Sequence, residues 1–141
     1  MLLGAVTVGI ALPGNPLFYL LGAVSVVLGI VISAATVYLI AVAGFWLIET
    51  RGLQILYMLA SGFLGGLYVP IGIFPHWLRV TAAATPFPSA MMYPIDVMSG
   101  LGGAGNAVRL VLAQLAWLAG LAAVGQWLTR AGRRRLEVQG G

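Results

Sequence analysis

Apolar positions fill this chain in long blocks, and the few interruptions between them define its elements. Met1 to Leu12 is apolar and stops at Pro13-Gly14-Asn15-Pro16, where helix breakers and turn formers together require a tight connection. Leu17 to Ile48 carries no charge; at 1.5 Å per residue it reaches roughly 48 Å, longer than one bilayer core, so tilt or an interfacial first turn is expected. Tyr19 and Trp46 suit the two aromatic belts, and Gly22, Gly29 and Ala34 offer small surfaces to neighbouring helices. Glu49-Thr50-Arg51-Gly52 is the first charged group and reads as a short loop. A second span is expected over 53–69, ending at Pro70. Its Gly62 and Gly66 lie four apart, either a helix-packing face or chance in a glycine-rich chain.

From Ile71 to Gly105 the chain stays hydrophobic but is broken by Pro75, Pro86, Pro88 and Pro94 and ends in a glycine-rich run. One regular spanning helix is ruled out. Pro75 is expected to start a short helix through Thr85, and Ser89 to cap a second through Ser99, kinked near Pro94. Two short helices over 75–99 predict a re-entrant or interfacial hairpin, which a membrane tolerates where protein or a watery cavity satisfies the backbone. Asn106 is the expected cap of a last span over 107–129, with Ala116, Gly120 and Ala123 or Val124 as its packing stripe and Trp127 in the interface.

Composition fixes the solvent. The 141 residues are 61% hydrophobic and 7% charged, with a mean hydropathy of +1.04, against about a quarter charged in soluble domains. The prediction is a single all-α polytopic membrane domain over 1–141: a partial span over 1–12, spans over 17–48, 53–69 and 107–129, the hairpin, and a cytoplasmic basic tail over 130–141. A cleaved signal peptide is not expected, because the first residues lack a positive region.

All seven basic residues are arginines, and Arg130, Arg133, Arg134 and Arg135 cluster behind the last span. Placing them in the cytoplasm puts Arg51 inside and only Arg79 and Arg109 outside, as the positive-inside rule favours, with the hairpin external. This reads as a multi-pass protein of the bacterial inner membrane. A basic run abutting an apolar helix is a membrane anchor, so nucleic acid is not an expected partner.

Chemistry is sparse. Without lysine the chain has no P-loop; without cysteine and with His76 alone it has no metal-site pattern, and no cofactor is expected. Ser61 and His76 raise the thought of a serine–histidine dyad, but Ser61 on a helix more commonly bonds its own backbone. Arg79 and Asp96 either pair, guide a substrate near the outer mouth, or sit solvated at headgroup level. Gln114 and Gln126, twelve residues apart on the last span, each lie within about 60° of one helical face and so about 120° from each other, as inter-helix glue or path lining. Glu49 and Arg51 form a loop where a soluble partner can dock.

Gly44-Phe45-Trp46, Leu59-Ala60-Ser61-Gly62, Pro70-Ile71-Gly72-Ile73-Phe74-Pro75-His76-Trp77-Leu78, Thr85-Pro86-Phe87 and Tyr93-Pro94 to Gly100 occur in an order that resembles the permease subunits of type-two ABC exporters, C-terminal half. The resemblance covers residues 44 to 100. It implies a six-span permease whose fifth and sixth spans flank external re-entrant helices, working as a homo- or heterodimer of permease subunits with ATP-binding ABC subunits and surrounded by membrane lipid. On that template 17–48, 53–69 and 107–129 resemble spans four, five and six. Three earlier spans of the family pattern have no counterpart, so a truncated permease or fragment is expected. The candidate substrate path or external gate is then Ser61, Gly62, Pro70, Pro75, Arg79, Asp96 and Gln114, with partner contact at Glu49 and Arg51 and no catalytic residue. A small oligomeric secondary transporter or channel is the alternative, and a membrane scaffold a third reading.

Overall fold

The computed structural model describes residues 16–44, 47 and 49–139, with side chains through 133. The expected partial span over 1–12, the turn at 13–15, Trp46 and the side chains of Arg134, Arg135 and Glu137 lie outside the described residues. The described chain is helical: α1 (Pro16–Ala43), α2 (Arg51–Leu64), a 3-10 turn (Ile71–Ile73), α3 (His76–Ala83), α4 (Phe87–Met98) and α5 (Gly103–Gln139). Among the described residues there is no strand, and the chain is an all-α bundle as the apolar blocks predict.

The two long helices have the length and composition to cross a membrane: Pro16–Ala43, and Gly103–Arg133 within α5. Pro16 stands at the start of α1, where its missing N–H costs nothing. Leu20, Val27, Ile30, Leu112 and Trp127 are among the many large apolar side chains left exposed, and hydrocarbon is the solvent that accepts such a surface. α5 does not stop at Thr129. Arginine, leucine and glutamate propagate a helix well, and nothing breaks it before Gln139.

α2 is shorter than the apolar block that contains it. Its 14 residues reach about 21 Å, because Gly65 and Gly66 end it. Gly66 adopts φ +85°, open to glycine without strain, and the N–H groups of Leu67 and Tyr68 both turn back onto the Gly62 carbonyl at 3.0 and 3.1 Å. Gly62 and Gly66 therefore share no helix face. The Tyr68 ring covers Gly62 so closely that a Cβ there would collide with it. Phe63 stacks on the buried Phe74 with centroids 5.2 Å apart, fastening the turn after α2 to its end.

The core is where α1, α4 and α5 meet. On α1 the buried residues Gly22, Ser25, Gly29 and Ile32 recur at helical spacing and form one stripe. α4 lies along it in the opposite sense, with Met98 over Gly22 and Ala90 over Gly29. At the Met98 end of α4 the packing closes on Val97, Ala107 and Leu110, with Phe18, Leu21 and Tyr93 around them.

Two expected caps are corrected. Pro86 precedes α4 and Pro88 occupies its first turn, so Ser89 falls inside the helix instead of capping it. Gly100, Gly102 and Gly103 all adopt positive φ, and the reversal they make lets α5 begin at Gly103, three residues before Asn106. Asn106 Nδ2 then donates to the Leu101 carbonyl at 2.8 Å, holding that reversal from within the first turn of α5.

Candidate functional site

α4 organises the polar chemistry because residues four apart share a stripe on a helix, and three of its stripes meet different surroundings. Ala90, Pro94 and Met98 face the glycines of α1. Pro94 has no N–H to return to the Ala90 carbonyl. That carbonyl lies against Gly29, where an added Cβ would be 2.6 Å from the oxygen, so glycine is what permits the approach.

Ser89, Tyr93 and Val97 form the stripe toward α5. At its Ser89 end sits Gln114, fully buried together with Ser25 and Ser89. Ser25 Oγ donates to Gln114 Oε1 at 2.7 Å, and Gln114 Nε2 donates to the carbonyls of Ser25 at 3.0 Å and Ser89 at 2.7 Å. One side chain thus joins all three core helices, with its acceptor and both donors used. The Ser89 hydroxyl is buried without a partner.

Pro88, Met92 and Asp96 form the third stripe and line an open cleft of about 450 Å³. Arg79 of α3 and Asn106 and Arg109 of α5 complete its polar wall. The Arg79 guanidinium donates to the Gly72 and Phe74 carbonyls at 2.9 and 3.3 Å, holding the 3-10 turn against α3. Desolvation by burial raises the Asp96 carboxyl above its ordinary value of 3.8. Two guanidiniums and one carboxyl give the cleft an excess of positive charge, which suits a ligand carrying an anionic group.

The residues picked out from the sequence separate accordingly. Arg79 and Asp96 share the cleft; Gln114 lies beneath it, on the opposite side of the Pro88–Ser89 step. Ser61 is buried and donates to the Met58 carbonyl of its own helix at 3.1 Å, while His76 is exposed at the start of α3. Pro70 and Pro75 precede the 3-10 turn and α3 respectively and are not part of the cleft lining. Glu49 is exposed in the connection between α1 and α2, and Arg51, expected in the same loop, is exposed as the first residue of α2 because the helix starts directly after Thr50. Sequence reasoning missed Ser25, whose place in the glycine stripe of α1 was the available signal, and Asn106 and Arg109, three apart on one face of α5.

A family model for ABC-2 family transporter proteins matches residues 1–140. No curated protein and no solved structure matches the chain.

Proposed function

This chain belongs to the ABC-2 family of transporter proteins, and from that premise we propose that it is the permease subunit of an ATP-driven exporter, powered by separate ATP-binding subunits. Membership makes it a membrane transport component and implies association with an ATP-binding ABC subunit. The export direction, a second permease subunit and an inner-membrane location with a cytoplasmic C-terminus are the finer parts of the proposal.

The observation that carries it is the position of α4. The helix is too short to cross a bilayer, yet its Ser89 end is hydrogen-bonded between two helices that are long enough, while its outer stripe lines a charged cleft. A shift of α5 against α1 must carry Gln114, and with it α4 and the wall of the cleft. ATP-binding subunits acting from the arginine-rich side supply the differential stabilisation of two arrangements, and the α1–α4–α5 junction converts it into opening or closing of the cleft. Pro88, Met92, Asp96, Arg79 and Arg109 are the residues a substrate meets there.

The test is reconstitution. Co-purification with an ATP-binding subunit and transport that requires nucleotide hydrolysis support the proposal; transport by this chain with no ATPase partner rejects it.

A further inference from the structure

At the end of the bundle opposite the cleft, α1 and α5 together line a second open cavity of about 440 Å³. Two neighbouring stripes of α5 line it, Leu121-Gly125-Thr129-Arg133 and Ala122-Gln126-Arg130, facing Ala35 and Tyr38 of α1. Its character changes along the helix axis. Ala35, Leu121 and Ala122 make an apolar wall, and about 12 to 18 Å further along α5 the lining carries two exposed guanidiniums.

The floor is fixed by hydrogen bonds whose direction can be assigned. Thr129 Oγ1 donates to the Gly125 carbonyl at 2.8 Å, so its single proton is committed, and the 2.6 Å contact with Tyr38 is made by the Tyr38 hydroxyl as donor. Gly125 admits the Tyr38 ring, whose Cε1 is 3.3 Å from the position a Cβ would take. The donors left facing the opening are the Arg130 and Arg133 guanidiniums and the Gln126 amide, a set suited to phosphate oxygens.

We propose that this cavity is a binding site for a phospholipid with an anionic headgroup, its phosphate held by Arg130, Arg133 and Gln126 and an acyl chain laid along Ala35, Leu121 and Ala122. A free phosphate has no use for the apolar wall, whereas a lipid presents the same succession of charged and apolar groups in the same direction along a spanning helix. The site depends on the membrane setting and not on the exporter proposal, since no nucleotide, partner or sidedness enters it.

The test uses the full chain in neutral detergent, with native mass spectrometry reading retained phosphatidylglycerol against phosphatidylcholine and with inorganic phosphate as competitor. The wild-type chain is expected to prefer phosphatidylglycerol, and R130Q/R133Q to lower that preference about thirty-fold, the effect of two basic residues near an anionic surface. A122F places a ring across the apolar wall with both arginines in place and is expected to lower retention about ten-fold. All three substitutions fall on exposed positions, which leaves the bundle core intact. An unchanged preference in R130Q/R133Q overturns the proposal. Unchanged retention in A122F also overturns it, because attraction to the basic tail alone then suffices. Displacement by inorganic phosphate at the lipid's own concentration makes the bare anion the ligand and equally contradicts it.

Discussion

Gln114 and Ser89 meet through a single 2.7 Å hydrogen bond from the glutamine amide to the serine carbonyl, while the hydroxyl of the same serine lies buried without a partner. The Ser89 backbone, not its side chain, connects α4 to α5. Q114L strands the Ser25 hydroxyl and removes the amide bonds from α5 to the Ser25 and Ser89 carbonyls, and is expected to cost about 1–3 kcal/mol. S89A deletes an unsatisfied group and is expected to change stability by less than about 0.5 kcal/mol. Unfolding of both variants in mixed micelles checks the contrast; equal losses would mean that the hydroxyl matters after all.

The second contrast concerns two glycines on one stripe of α1. At Gly29 an added Cβ meets the backbone carbonyl of Ala90, which cannot move without α4; at Gly22 it meets the flexible side chain of Met98. G29A is therefore expected to cost about 1–3 kcal/mol and G22A clearly less. G120A, at a position with nothing within 4 Å, is the control and is expected to gain up to about 1 kcal/mol, the preference of a helix interior for alanine over glycine. Thermal unfolding of the three variants in one detergent gives the order.

Much of the bundle was legible from the sequence, for reasons that particular residues make plain. Uncharged blocks give α1 and α5, and the prolines at 75, 86, 88 and 94 forbid one long helix between them. Helix ends were harder to read. Gly66 looked like one of a packing pair on a helix, but its positive φ serves a reversal that begins at Gly62, and only the tertiary position of Tyr68 distinguishes the two uses. Ser89 carries the local signature of a cap, yet Pro86 and Pro88 draw the start of α4 ahead of it. Within the candidate site, Gln114 announces itself as a polar residue on an apolar span. Its partners Ser25 and Ser89 are 89 and 25 residues away, and no spacing rule links them.

Asp96 gives a pH dependence of definite sign. Because burial raises its carboxyl in the folded chain, the fold binds that proton more tightly than the unfolded chain does. Its contribution to stability is thus greatest below the ordinary carboxylate value and declines as pH rises through the raised folded value. D96N removes the titration, so a plot of unfolding temperature against pH is expected to flatten over that window, with the variant relatively more stable at its upper end. Parallel curves for wild type and D96N would contradict the placement of Asp96.

The chain has no cysteine, so single cysteines report without background. In sealed cells R133C is expected to resist a membrane-impermeant maleimide until the membrane is opened, and L101C, exposed between α4 and α5, to react at once. The reverse pattern would invert the orientation derived from the arginines.

The most direct measurement of the coupling account is the labelling rate of M92C, in the cleft wall, within a complex that contains the ATP-binding subunits. ATP is expected to change that rate and hydrolysis to restore it, and adding Q114L is expected to uncouple the two while leaving the complex assembled. A rate indifferent to nucleotide in the intact complex would contradict the claim that α4, held by Gln114 between α1 and α5, moves the wall of the cleft.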